Sequence, residues 1–343
     1  MNNRKQIASK FLTNTGSMVK AIEPINNGLI NSTFKVQDDE NNFFILQKIN
    51  SSVFKNPFDL AHNLLILKEN IEFHYVKLII PDYLSFKNKL IIEHDSTFWR
   101  MYRYIPGIVY DKLKNNTMSK SAAMAIGRFH TLSEYMPLKS FRNSIENFTN
   151  FQFRLSELRR ALKEGVDSRI SKTKYFHSEL INHIGIIEEY SDVEKKVPKR
   201  LIHGDPKISN FIFDHCGENI IAIIDLDTIG QGSILYDFGD MVRSFSNRNL
   251  ESLQNDTNIL NKQALQSIID GYLVSTDGFL TKIERDSLLL SAKAVSLVQC
   301  IRFYTDYLMG DVYYNTTNND ENMGRAKNQF QLFCELNDLN LKF

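Results

Sequence analysis

The chain has 343 residues, with 41 basic and 40 acidic side chains and a formal net charge of +1. This length exceeds what one compact core usually holds and makes two lobes the expectation, while the near-neutral balance excludes a global field for nucleic acid or a membrane surface. A composition of 43% apolar and 24% charged residues excludes a disordered chain.

Three cysteines, Cys216, Cys300 and Cys334, form no CxxC pair. They argue for a reducing compartment and against a disulfide framework or a cysteine-based zinc site. The N-terminal MNNRKQIASKFL lacks an apolar core of signal-peptide length, and no apolar run approaches 18 residues. A cytoplasmic protein is therefore expected.

In chain order, Lys5 to Leu12 forms a short helix that ends at Asn14-Thr15-Gly16. Ile30 to Gln37 and Phe43 to Ile49 have strand alternation, with a hairpin loop over residues 38–42. Asn26-Asn27-Gly28 is a tight turn, and Gly28 would let the backbone approach a phosphate. Asn56-Pro57-Phe58-Asp59 caps a helix with Leu60, Leu64 and Leu67 on one face. Two further strands, Lys89 to His94 and Phe98 to Tyr104, close at Ile105-Pro106-Gly107. The fold class expected is α+β in two lobes: a small β-rich N-lobe, residues 1–104, and a larger, mainly helical C-lobe, residues 105–343. Helices are predicted over Ser121 to Tyr135, Phe151 to Gly165, Lys174 to Glu189, Asn261 to Val274, Lys282 to Met309 with one break, and Gly324 to Asn337. Leu201 to Asp227 is predicted as two short strands around a loop, with helical pattern resuming after Asp240.

That last stretch, LIHGDPKISNFIFDHCGENIIAIIDLD, carries the chemistry. Asp205 is the candidate base, since a carboxylate beside an alcohol accepts its proton and orients it. Asn210, five residues on, offers an amide oxygen to a magnesium ion that bridges nucleotide phosphates. Asp225 ends the apolar run IIAII, which fixes it as the main metal carboxylate. Lys207 is placed to stabilise a transferring phosphoryl group; the plain alternative is a surface lysine. His203 fits a loop-bracing histidine bonded to backbone better than a ligand. A base, a metal-binding amide and a metal-binding carboxylate at this spacing are what phosphoryl transfer from a nucleotide requires.

HGDPKISN followed by IIDLD resembles the catalytic and metal-binding segments of the aminoglycoside phosphotransferase and choline kinase superfamily, which has a protein-kinase-like fold. GLINSTFKV, FILQKINSSVF, IIDLDTIGQGSILYDFGDMVRS and RFYTDYLMGDVYY are similar to segments of the N-acetylhexosamine 1-kinases. Those enzymes phosphorylate the anomeric hydroxyl of N-acetylglucosamine or N-acetylgalactosamine. The resemblance implies ATP and Mg²⁺ as cofactors, Asp205 as base, and Asn210 and Asp225 as magnesium ligands. It implies a structural Asp237 that braces the catalytic loop beside Gly239. It places Gly28, Gln47, Lys48, Met101 and Arg103 at the nucleotide, with Trp99 to Tyr104 as the last N-lobe strand and hinge. It makes Asp227, Arg243, Arg302 and Asp306 candidates for sugar contacts; the alternative for each is a buried ion pair. Strand alternation puts Gln47 where the family carries a phosphate-pairing lysine, and Lys48 on the opposite face. His62 or Asn63 takes the position of that lysine's glutamate partner. Either another cation compensates or phosphate binding is weaker. Two alternatives stay open. One is an amino alcohol or aminoglycoside acceptor, for which Asp306, Asp311, Tyr307 and Tyr313 supply an acidic and aromatic pocket. The other is a non-catalytic kinase-like binding module.

Overall fold

In a computed structural model the described residues are 2–25, 30–73, 80–249 and 258–339. The Asn26-Asn27-Gly28 turn, with its expected nucleotide contact at Gly28, lies outside them.

The small lobe opens with helix α1 (Asn2–Leu12) and strands β1 (Val19–Ile25), β2 (Ser32–Asp38) and β3 (Phe43–Ile49). Helix α2 (Pro57–Phe73) and strands β4 (Tyr83–Leu84), β5 (Ile91–His94) and β6 (Thr97–Arg103) follow. All pairings are antiparallel, in the order β1-β2-β3-β6-β4 with β5 also on β6. The period-2 pattern decides its two faces. Phe34, Val36, Leu46, Trp99 and Met101 pack with Ile7, Phe11 and Leu12 of α1. The opposite face carries Thr33, Gln47 and Arg100, which are direct cross-strand partners.

The large lobe contains α3 (Asn116–Thr131), α4 (Phe151–Glu164), α5 (Asp167–Lys172), α6 (Lys174–Ile181) and α7 (Gly185–Glu194). The short strands β7 (Arg200–Ile202), β8 (Phe211–Phe213), β9 (Ile220–Ile223) and β10 (Gly230–Gly232) come next. The chain ends in α8 (Ile234–Phe245), α9 (Lys262–Ser275), α10 (Lys282–Asp286), α11 (Leu288–Leu308) and α12 (Glu321–Asn337). Asparagine makes the N-caps of α3, α4 and α9, and Thr281 with Glu284 forms a capping box on α10. The central helix α11 packs against α8, α4 and α12. Gly239 of α8 is needed at that crossing, because a Cβ there would lie 2.5 Å from the Ser291 carbonyl oxygen.

The main core is not confined to the large lobe. Leu64, Leu67 and Ile71 of α2 and Tyr83 of β4 belong to the same cluster as Ile126, Phe129, Leu201, Phe238 and Ile301. Among the described residues no helix is long and apolar enough to cross a membrane.

The predicted stretch of two strands over residues 201–227 is instead three. β7 pairs with β10, beyond the stretch, and β8 pairs with β9 in a hairpin. The single helix expected over 174–189 divides into α6 and α7 at residues 182–184. Helix α8 starts at Ile234, ahead of the predicted resumption after Asp240, under a Ser233 cap.

Candidate active site

The loop after β7 is held by one buried carboxylate. Asp237, near the start of α8, accepts from the backbone N–H of His203 at 2.6 Å and of Gly204 at 2.9 Å. Its Oδ2 also meets His130 Nε2 at 2.9 Å, and His130 Nδ1 in turn meets the Tyr272 hydroxyl at 2.7 Å. Asp237 therefore braces the loop through two backbone donors, as its position in YDFGD implied. Gly204 sits at φ +85°, and a Cβ there would lie 2.7 Å from the Thr228 carbonyl oxygen. Only glycine fits both demands.

His203 is a brace as well. The Asp205 N–H donates to its Nδ1 at 3.2 Å, so Nε2 carries the proton and donates to the Ile224 carbonyl at 3.0 Å. This ties the Asp205 loop to the end of β9. Asn210 ties it from the other side: its Nδ2 donates to the Asp205 carbonyl at 2.7 Å, and its own carbonyl accepts from Ile224 N–H at 2.9 Å. Asp205, Asn210 and Asp225 are thus brought together by local hydrogen bonds on either side of the β8–β9 hairpin.

Asp205 keeps a quarter-exposed carboxylate, with Lys207 Nζ on Oδ2 at 2.6 Å. Burial by itself would lower the Lys207 pKa, but the Asp205 and Asp225 carboxylates outweigh it and hold the ammonium protonated. Lys207 is half-buried and ion-paired rather than a free surface lysine.

Asp225 adopts the left-handed conformation, φ 60° and ψ 53°. Burial, and then the Asp227 charge, push its carboxyl up to about 6 from an ordinary 3.8; Lys207 opposes the shift, Asp205 adds to it, and Arg100 opposes it. The donor chemistry fits a hard divalent cation. Among the described residues no hydrogen bond reaches the Asp225 carboxylate or Asn210 Oδ1, and burial with the Asp227 and Asp205 charges outweighs Lys207 and Arg100 at Asp225. No cluster of three His, Cys, Asp or Glu ligands exists among the described residues, which suits an ion that takes its other ligands from phosphate and water.

The raised pKa gives a pH prediction. A metal must displace the proton, so Mg²⁺ affinity in the presence of nucleotide is expected to fall about tenfold per pH unit below pH 6. For the metal-free protein the sign reverses. This carboxyl's contribution to stability is full below pH 4 and lost as pH rises through about 6. Calorimetric titration of Mg²⁺ with ADP from pH 5 to 8 measures the first effect, and an affinity flat across that range rules it out.

Asp227 does not face an acceptor pocket. It is 3% exposed and saturated by Arg100, whose Nη1 and Nη2 reach Oδ1 and, at 2.9 Å, Oδ2; Asn31 Nδ2 adds a bond at 2.8 Å. Gln47 accepts from Arg100 Nε at 2.9 Å and donates to the Thr33 hydroxyl at 3.2 Å. Lys48 is exposed on the other face. Met101 is fully buried against α1, and Arg103 lies on that same face, paired with Asp82 at 3.3 Å. Of the side chains placed at the nucleotide, Gln47 faces the large lobe, while Lys48, Met101 and Arg103 are turned away. Asn63 of α2 donates to the carbonyls of Arg142 and Ile229 and pairs with no cation.

On the acceptor side, Arg243 Nε pairs with Asp240 Oδ1 at 2.7 Å inside α8. Arg302 donates to Gln299 Oε1 at 3.1 Å, and its guanidinium lies 5.4 Å from the Phe148 ring and 5.9 Å from Tyr314. Burial raises the Tyr236 hydroxyl pKa, and the charges of Arg302, Asp240, Asp205 and Arg243 act on it. Asp306 stands apart. Its Oδ1 accepts from Val312 and Tyr313 N–H, and its Oδ2 accepts from Tyr314 N–H and Asn322 Nδ2, all within 3.0 Å. It folds the loop that presents Tyr314 and has no lone pair left to offer a sugar. Asp311 is likewise engaged, by Arg169 and Asn322.

Residues 21–266 match the family described as phosphotransferase enzymes. The chain belongs to that family. It is a small-molecule phosphotransferase, and its two lobes have the protein-kinase-like arrangement. Solved structures similar in fold include a Plasmodium vivax ethanolamine kinase, 14% identical, TM-score 0.61, covering 92% of this chain and 82% of that one. A spectinomycin phosphotransferase solved with ADP and spectinomycin is 11% identical, TM-score 0.61, covering 94% and 95%. An aminoglycoside phosphotransferase from Alicyclobacillus acidocaldarius is 12% identical, TM-score 0.59, covering 93% and 92%.

Within this phosphotransferase, sequence reasoning missed Arg100, Asn31, His130, Tyr236 and Asp240. Arg100 had a usable signal, since the alternation that turns Gln47 toward the large lobe turns its cross-strand partner the same way. Asp240 also had one, an i,i+3 spacing to Arg243 on a helix. His130 had none, because 107 residues separate it from Asp237.

Proposed function

We propose that the chain transfers the γ-phosphoryl group of ATP, with Mg²⁺, to a hydroxyl of a small neutral acceptor, most readily a sugar or an N-acetylhexosamine at its anomeric hydroxyl. Residues 1–104 would form the nucleotide lobe and residues 105–343 the catalytic and acceptor lobe. Asp205 accepts the hydroxyl proton and aims the oxygen, with Lys207 Nζ at 2.6 Å from its Oδ2. Lys207 lies beside the path of the transferring group and offsets its negative charge. Asn210 and Asp225 would hold the ion, which when bound neutralises phosphate charge.

The observation that carries the choice of acceptor is the charge around Tyr236. Arg243, which is buried, and Arg302, which is half-buried, act on it with the Asp240 and Asp205 carboxylates. Asp306 and Asp311, which would have suited a cationic acceptor, are consumed by loop and ion-pair contacts. Arginine donors and the Asp240 carboxylate suit the vicinal hydroxyls and acetamido carbonyl of an amino sugar. A second acceptor class, an amino alcohol or aminoglycoside, has one specific support. Asp240 Oδ2 is buried without a hydrogen-bond partner, and an ammonium group would satisfy it as well as a hydroxyl. The kinship in fold with ethanolamine and spectinomycin kinases points the same way.

The test is a panel of N-acetylglucosamine, N-acetylgalactosamine, galactose, choline, ethanolamine and an aminoglycoside, followed by coupled ADP release. An N-acetylhexosamine is expected to give the highest kcat/KM. Turnover confined to the cationic compounds would overturn the choice. Magnesium-dependent nucleotide binding without turnover on any acceptor would instead favour a binding module.

A further inference from the structure

Arg100 leaves the centre of the small-lobe sheet, is 1% exposed, and makes its side-chain hydrogen bonds to two partners. Gln47, its cross-strand neighbour, accepts from Nε; Asp227, from the large lobe, takes both terminal nitrogens. A buried ion pair of this kind is weak evidence of stabilisation, because stripping water from both charges offsets their attraction. Something other than stability is required to account for it.

That account lies two residues upstream. Asp225 is a non-glycine residue in the left-handed region, a conformation that persists only when the surroundings over-determine it. The chain leaves Asp225 directly into a 3-10 turn, Leu226–Thr228, whose Leu226 is buried and whose Asp227 is gripped by Arg100 and Asn31, both small-lobe residues. Thr228 Oγ1 then bonds the His203 carbonyl at 2.8 Å, closing the turn onto the catalytic loop. The charges fit the same account. Asp225 and Asp227 flank one turn, and Arg100 bonds only Asp227 of the two, which leaves the Asp225 oxygens without a hydrogen bond among the described residues.

We propose that Arg100 and Asp227 form a positioning pair assembled between the lobes, which fixes the aim of Asp225 toward a metal-bound nucleoside polyphosphate. The proposal rests on the phosphotransferase reading of the site. It also makes formation of the metal site depend on the small lobe being seated, with neither residue touching the reacting atoms.

Three variants test it: Arg100→Gln, Arg100→Lys, and the double replacement Arg100→Met with Asp227→Leu. Arg100→Gln strands a buried carboxylate and loses both stability and metal-dependent binding. The double variant removes both charges together, so its melting temperature is expected near that of wild type. Its affinity for MgADP, measured by calorimetry, is expected to fall more than tenfold, while affinity for ADP without metal changes less than threefold. In turnover, KM for MgATP and the Mg²⁺ requirement rise together. Arg100→Lys restores the fold but only part of the metal-dependent binding, because an ammonium cannot grip both carboxylate oxygens and Gln47 at once. A folded double variant, or a folded Arg100→Lys, that binds MgADP as wild type does would overturn the proposal while leaving the kinase reading standing. Wild-type protein that binds no MgADP at all overturns both.

Discussion

Asp205→Asn is expected to leave fold and nucleotide affinity in place and to lower kcat by about 10²- to 10⁴-fold, the range that a positioned general base contributes. The amide keeps the volume of the carboxylate, and the loop around it is fixed by Asp237, His203 and Asn210 rather than by the Asp205 side chain. What is lost is the ability to accept a proton and the charge that holds Lys207 at 2.6 Å. Phosphoryl transfer to the best acceptor of the panel, with MgADP binding measured alongside, separates these effects. If kcat stays within a factor of three of wild type on every acceptor, Asp205 is not the base. If MgADP affinity collapses together with kcat, the substitution has damaged the metal site instead.

Asp237→Ala is the second large effect, and it falls on stability before catalysis. The carboxylate satisfies two backbone donors and a buried histidine, all far from solvent. Alanine leaves the N–H groups of His203 and Gly204 buried and unpartnered, at a cost of about 1–3 kcal/mol each. For a chain of this length that corresponds to a melting temperature lower by roughly 3–8 °C. Activity should fall further than the folded fraction does, since the loop that carries Asp205 loses the two backbone bonds at His203 and Gly204. Asp237→Asn should recover part of the stability, because its carbonyl can still accept from one or two of these donors. Thermal melting of both variants checks the order. Equal melting temperatures for wild type and Asp237→Ala would mean that the loop is held by something else.

Much of this was legible in the sequence, and the residues show why. β3 was delimited from alternation alone, because one face packs on α1 and the other turns toward the large lobe. The β1 segment VKAIEPI escaped because it is an edge strand, mostly exposed and carrying Pro24, so it has neither the composition nor the clean period of a strand. The start of α8 escaped for the opposite reason: nearly all of Ile234 to Arg243 is buried, so no polar face marks a helical period. At the site, the spacing from His203 to Asp225 brought the candidate base and the two metal-ligand candidates into view together, because a local loop and hairpin connect them. The family resemblance made Asp227 and Asp306 candidates for substrate contacts, with a buried ion pair as the alternative. The structure consumes both in fixed contacts, Asp227 with Arg100 and Asp306 with the loop after α11. Pairings across 127 or 107 residues carry no signature in spacing, and these are the ones that decide which polar groups remain available.

The continuity of the core through α2 has a mechanical consequence. Leu64, Leu67 and Ile71 pack into the large lobe's cluster, while α1 and the outer face of the sheet form a separate cluster. Helix α2 is therefore anchored with the large lobe. Between it and the sheet, Ile49, Phe54, Leu60 and Ile91 form a small cluster of their own. A rigid swing of the whole small lobe would tear α2 from that core. Parting the sheet from the large lobe would also have to draw Tyr83 of β4 out of that core and Arg100 of β6 away from Asp227, so the lobes are joined through α2, β4 and β6 together.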